Sequence, residues 1–238
     1  MFRIACSMED KTSDRLPVPQ LPLREDDQPL FASINTFVHN YMSKYDNSHD
    51  YNHILRVLSN AHYIHTYERV SNPSVEYDTT ALYLAALLHD VGDHKYAKPG
   101  EDVENQIRDT LLAHGANPEL ADKVQTIVKH VSYTHEVRNP DAVKEMLLVH
   151  PELGIVQDAD RIDAIGAVGI GRCFSFGAAK MPDQPMERAV SHFEEKLFKL
   201  VGMMKTGKGK EMAQERHAVL EVFAKQWKEE TRLAFKVE

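Results

Sequence analysis

The chain has 238 residues, 36 acidic against 28 basic side chains, a formal net charge of −8 and 27% charged residues. That length accommodates one domain, or one domain with an appendage, around a real hydrophobic core. The acidic balance argues against a broad nucleic-acid or membrane surface, while a local basic pocket stays compatible with it.

In chain order, residues 1–28 carry Pro17, Pro19 and Pro22 among scattered charges and read as an extended, poorly ordered lead-in. Glu9 and Asp10 follow the first residues too soon for a secretory signal or an acid-poor transit peptide. The remainder, 29–238, reads as one helical domain in which 186–238 form a C-terminal helical extension packed on the rest. Leu30, Phe31, Ile34, Phe37, Val38 and Tyr41 follow the three-four spacing of a helix face, as do Ile54, Val57, Leu58, Ala61 and Ile64. Asp78 or Thr79 can cap a helix over Ala81–Leu88, which is apolar all round and therefore central. A helix over Val103–His114 is stopped by Gly115, and Asn117-Pro118-Glu119 starts the next with a cap, a first-turn proline and an acid. That helix carries Leu120, Val124, Ile127, Val128 and Val131. Ala142–Val149 reads as helical and breaks before Pro151, and a helix from Leu153 runs to about Arg172.

Pro182 and Pro185 mark a loop. An amphipathic stripe of Val190, Phe193, Leu197, Leu200, Val201 and Met204 follows, then a turn at Lys205–Lys210 and a last helix to about Leu233. No segment alternates with period two, so the expected class is all-α with about eight to ten helices. The run over Ala81–Leu88 is too short to span a bilayer. Cys6 and Cys173, the only cysteines, do not suggest a disulfide framework and fit a reducing compartment. The expected location is cytoplasmic, the nucleus being compatible with the same reading.

His89 and Asp90 stand together at the end of the apolar run, His53 shares the inward stripe of its helix, and Asp158, Asp160 and Asp163 interrupt another apolar helix. Taken singly, His53 is compatible with a core histidine, His89 with a helix C-terminus, and Arg161 with a partner for one of the acids. Together, neutral imidazoles and carboxylates from separate helices are what a divalent ion requires, and burying them unpaired costs several kcal/mol. Asp158 and Asp160 point about 160° apart on a helix, so only one of them can face such an ion. Other patterns carry less. Gly166 to Gly171 has neither the spacing nor the preceding strand of a dinucleotide loop, Gly207-Lys208-Gly209-Lys210 lacks P-loop spacing, and His62-Tyr63-Ile64-His65 is not a zinc-protease motif.

The order His, His-Asp, Asp on separate helices resembles the HD-domain superfamily of metal-dependent phosphohydrolases. The resemblance extends over about residues 30–230 and includes the strings around His53 and His89. It also includes Asp158-Ala159-Asp160-Arg161-Ile162-Asp163-Ala164-Ile165-Gly166-Ala167, Gly169-Ile170-Gly171-Arg172, and the block from His192 through His217. It points to the small stand-alone branch that includes bacterial nucleoside triphosphate pyrophosphohydrolases, and implies an HD helical bundle with additional C-terminal helices.

The implied metal ligands are His53, His89, Asp90 and Asp160, the last chosen because the family's final aspartate usually precedes a basic residue, here Arg161. Asp163, three positions on, shares that side and is a candidate to orient a ligand. One divalent ion is expected: Mn, Fe, Co, Ni or Zn, with Mg less suited to mixed nitrogen and oxygen ligation. Asp93 is a candidate for proton transfer, where some relatives carry a glutamate. Lys95 is a candidate catalytic and phosphate-binding cation beside His94, His130 a catalytic or substrate-contacting histidine, and Arg172 a phosphate contact. The implied partner is a small-molecule nucleotide, with a homodimer compatible and neither nucleic acid nor membrane expected. The implied reaction cleaves a (deoxy)nucleoside triphosphate to monophosphate and pyrophosphate. A 5′-nucleotidase-type phosphomonoesterase, a cyanamide hydratase-like enzyme and a non-catalytic ligand-binding protein share the same motif.

Overall fold

The computed structural model describes residues 16–92 and 104–236, and among them there is no strand. The helices are α1 (Gln28–Met42), α2 (Tyr51–Ser71), α3 (Thr79–Leu88), α4 (Gln106–Ala113), α5 (Pro118–Lys129), α6 (Tyr133–Arg138), α7 (Pro140–Val149), α8 (Glu152–Asp163) and α9 (Gly166–Lys180). A C-terminal section follows, with helix Glu187–His192, a π turn at Phe193–Leu197 and a long helix Gly207–Glu230.

The apolar helix α3 lies at the centre, as its composition requires: every residue from Thr80 to Leu88 is buried. Asp78 caps it by accepting the backbone N–H of Ala81 at 3.0 Å. Around α3 pack α1, α2, α5 and α8, and α2 against α8 is the most extensive helix pair. Isoleucine, valine and leucine from α2, α3 and α8 thus form one continuous core with Phe31, Ile34 and Val38 of α1.

The described part of the lead-in is packed rather than loose. Leu21 and Leu23 rest on the core, the Pro17 carbonyl accepts from Asn35 Nδ2 at 3.4 Å, and Thr80 Oγ1 donates to Asp27 at 2.6 Å. Leucines between prolines supply an apolar face that the proline count alone conceals. The long helix of the C-terminal section lies on α9, α8 and α2.

Two elements differ from the periodicity. A short helix, α6, starts where Ser132 Oγ accepts the His135 N–H at 3.1 Å. The single helix expected from Leu153 to about Arg172 is two, bent by 71°. The break falls at Gly166, whose φ of 75° lies in the left-handed region that an L side chain rarely adopts. One turn later, a Cβ on Gly169 would overlap the backbone carbonyl of Ala164, so α9 can fold back against the end of α8 only with glycine there. This bend brings Arg172 of α9 over Asp163 of α8.

Candidate metal centre

Asp50 caps α2 by accepting the His53 N–H at 3.0 Å, which sets His53 in the first turn with its ring turned inward and 1% exposed. His89 follows the last turn of α3, where helix carbonyls lack partners, and its Nδ1 donates to the Ala86 carbonyl at 2.9 Å. His53 Nδ1 donates to Asp163 Oδ2 at 2.8 Å. Both acceptors are pure acceptors, so in the neutral imidazoles the proton sits on Nδ1 and the lone pair on Nε2.

The two Nε2 atoms face each other at 3.2 Å. Asp90 Oδ2 lies 3.2 Å from His53 Nε2, and Asp90 Oδ1 lies 3.6 Å from His89 Nε2. Asp160 Oδ1 is 3.7 Å from both nitrogens. Ligand atoms of His53, His89 and Asp90 all lie within 4.8 Å of one another, with Asp160 reaching the two imidazoles from the more exposed side. Asp90 Oδ2 is buried with no hydrogen-bond donor. Lone pairs converging without a donor between them repel unless a cation sits among them, and a borderline divalent ion fits this nitrogen and oxygen set. Burial, the largest influence, pushes the Asp90 carboxyl up, but positive charge at His89 and His53 outweighs it and holds it well below the usual range, a role that a bound cation would take where the imidazoles are neutral.

The three acids of α8 have separate surroundings. Asp158 is buried and accepts from the backbone N–H groups of Lys205 and Thr206 at 2.8 Å, and from Thr206 Oγ1 at 2.7 Å, so it anchors the start of the C-terminal helix. Asp160 faces the histidines. Asp163, 1% exposed, accepts from His53, from Arg56 Nε at 2.7 Å and Nη2 at 3.1 Å, and from Arg172 Nη1 at 3.1 Å. Burial raises the Asp163 carboxyl, while the bonds from His53 and Arg56 more than offset this and lower it. Arg161 serves none of these acids directly: its guanidinium pairs with Glu136 at 2.6 Å.

The other expected site residues are more dispersed. Arg172 directs its donors to Asp163 and to the Ser48 carbonyl, at 2.7 Å for the latter, on the outer side of His53. His130 ends α5, bonds the Thr126 carbonyl at 2.7 Å and stacks edgewise on His135; its carbonyl accepts from Gln157 of α8. None of these partners belongs to the histidine and aspartate group. Asp93, His94 and Lys95 lie outside the described residues.

One neighbour was not singled out from the sequence. His49 packs edgewise on His53 with ring centroids 6.0 Å apart, and its charge is among those that lower Asp90. Its Nδ1 meets Ser48 Oγ at 2.8 Å. It precedes the cap of α2, so helical periodicity does not register it, although it stands four residues before His53.

The HD domain family matches residues 50–165, the span from the cap of α2 to the end of α8. YpgQ of Bacillus subtilis, an uncharacterised protein, is 34% identical over 197 residues, covering 81% of this chain and 89% of YpgQ. The crystal structure of YpgQ in complex with ADP superposes with a TM-score of 0.63 at 32% identity, covering 84% of this chain and 96% of that one. An HD-superfamily hydrolase from Bacillus thuringiensis gives 0.59 at 30% identity, covering 83% of this chain and 94% of its own. With the HD domain family matched from α2 to α8 and these relatives matched over most of their length, the chain belongs to the HD domain superfamily.

Proposed function

We propose that the protein is a divalent-metal-dependent phosphohydrolase acting on nucleotides, with a nucleoside triphosphate cleaved to its monophosphate and pyrophosphate. The observation that carries this reading is the convergence of two imidazole lone pairs and two carboxylates with no donor among them. Its support on the substrate side is that the related YpgQ was crystallised with ADP.

His53, His89, Asp90 and Asp160 would hold one ion of Mn, Fe, Co, Ni or Zn. When bound, such an ion supplies Lewis-acid polarisation of a phosphoryl oxygen and a lowered pKa for water. Asp160, with a side chain 28% exposed, marks the side from which substrate would enter. Lys95 and His94 follow the His89-Asp90 pair closely in sequence and are proposed to neutralise phosphate charge, with Asp93 as the group that transfers a proton. His130 keeps a proposed substrate role from the end of α5.

A panel of nucleotides assayed with several divalent metals, with products separated by chromatography, tests the reading. The expected result is metal-dependent release of monophosphate and pyrophosphate from a triphosphate. Orthophosphate from monophosphates would instead indicate a phosphomonoesterase. Turnover of no phosphorylated compound by metal-loaded protein would overturn the assignment and favour hydratase-like chemistry. Lys95→Ala is expected to raise KM or lower kcat while the metal content stays unchanged.

A further inference from the structure

Asp163 takes no place among the atoms facing the metal centre, yet it is a buried carboxylate that binds three side chains from two other helices. Its Oδ2 accepts from three donors, His53 Nδ1 at 2.8 Å, Arg56 Nη2 at 3.1 Å and Arg172 Nη1 at 3.1 Å, and its Oδ1 accepts from Arg56 Nε at 2.7 Å. Arg172 is in turn fixed by the Ser48 carbonyl at 2.7 Å and by the carbonyl of Asp163 itself at 3.3 Å. Donors from α2 and α9 therefore meet on one side chain of α8. The two histidines of the centre are also held unequally: His89 leans on a neutral backbone carbonyl, His53 on a carboxylate.

We infer that Asp163, clamped by Arg56 and Arg172, is the positioning residue that presents the His53 Nε2 lone pair to the metal. This rests on the metal-dependent reading above and deepens it. A carboxylate alone could rotate. Two guanidiniums restrain it: the bidentate contact of Arg56 fixes the carboxylate plane, and Arg172 holds Oδ2 from α9. The imidazole keeps its Nδ1–H and its orientation, so Nε2 carries a lone pair at a fixed place. Metal-ligating histidines commonly depend on such outer partners, whose loss costs on the order of 10–100-fold in affinity. Here the partner is itself built from two further elements, so the geometry of α9 is coupled to the metal through a side chain that never touches it.

The test is Mn²⁺ affinity, measured from free-ion EPR on metal-stripped full-length protein, together with the thermal midpoint of the metal-free form. Asp163→Asn supplies one acceptor where the arginines and His53 need two, and should weaken Mn²⁺ binding on the order of 10–100-fold. Arg56→Gln keeps the Asp163–His53 bond and should weaken binding less, with Arg56→Lys closer to wild type. Long-range ¹H–¹⁵N NMR of the zinc-loaded protein should show the Nδ1–H form at His53, with a displaced Nδ1 signal in Asp163→Asn. If Asp163→Asn fails to fold, the Arg56 pair decides by the same affinity measurement. Folded Asp163→Asn, or Arg56→Gln where Asp163→Asn does not fold, binding Mn²⁺ within about twofold of wild type, far short of the loss expected for an outer partner, would overturn the inference. A wild-type protein that binds no divalent ion would overturn the metal-dependent reading itself, and with it this one.

Discussion

At the scale of single residues, α8 shows how one short run of acids divides its labour. Asp158 and Asp160 are two positions apart and so point to opposite sides of the helix. One meets the backbone N–H groups at the start of the C-terminal helix, and the other meets His53 and His89. Asp158→Asn should therefore lower stability by about 1–3 kcal/mol, the cost of impairing hydrogen bonds to a buried charged acceptor. Its metal stoichiometry should be unchanged. Asp160→Asn should do the reverse, lowering metal affinity with the thermal midpoint of the metal-free protein near wild type. Elemental analysis beside calorimetry separates them, and normal metal binding by Asp160→Asn would show the wrong acid to have been chosen. His53 and His89 illustrate a related point. A histidine's spacing says which way it points, but its tautomer is set by the atom behind it, Asp163 Oδ2 in one case and the Ala86 carbonyl in the other.

At the scale of elements, the bend between α8 and α9 is the feature on which the site's outer support depends. A straight helix through residues 153–172 would carry Arg172 away from Asp163, since nine residues of helix rise about 13 Å. The turn at Gly166 and the close approach at Gly169 return it to 3.1 Å. Gly169→Ala should cost about 1–3 kcal/mol, as overpacking against a rigid backbone does. That corresponds to roughly 2–4 °C in thermal midpoint per kcal/mol for a domain of this size. Gly177, in the same helix, has nothing outside its own helix backbone within 4 Å of where a Cβ would stand. Gly177→Ala should raise stability by about 0.5–1 kcal/mol through the better helix propensity of alanine. Differential scanning calorimetry of the two variants compares them directly, and equal effects would mean that the Gly169 contact carries no energetic weight.

At the scale of the whole molecule, stability should depend on pH through buried histidines outside the metal centre. His65 is buried, its Nδ1 lies 3.1 Å from the Tyr83 hydroxyl and its Nε2 has no partner. Burial, then the charges of Arg69 and His62, lower its pKa from 6.5 to about 4. The folded value lies below the unfolded one, so between them the unfolded chain binds more protons. The contribution is complete above pH 6.5 and is lost as the pH falls toward about 4. One such group adds a slope approaching 1.4 kcal/mol per pH unit, roughly, within that window. Burial lowers His135, His150 and His192 in the same direction, so the wild-type slope is a sum. Denaturant unfolding of His65→Gln across the window should show a slope shallower by about one proton's worth. An unaltered slope would exclude His65 as a source.

The all-helical class, the central helix α3, the caps at Asp78 and Asn117, and the His-Asp pair beside an inward histidine are legible in the amino-acid sequence alone. They rest on interactions within one or two turns, where apolar spacing and cap chemistry act without reference to the rest of the chain. The HD family resemblance was legible in the same way, from the strings that surround those residues. What tertiary structure alone decided was the company these residues keep. That Arg161 pairs with Glu136, that Arg172 turns onto Asp163, that His49 stands against His53, and that Leu21 and Leu23 pack on the core all depend on contacts between distant segments. The bend at Gly166 shows the reason most plainly. Its glycines fit no dinucleotide loop, apolar periodicity continues through them, and only the carbonyl of Ala164 lying where a Cβ would sit turns that continuity into a break.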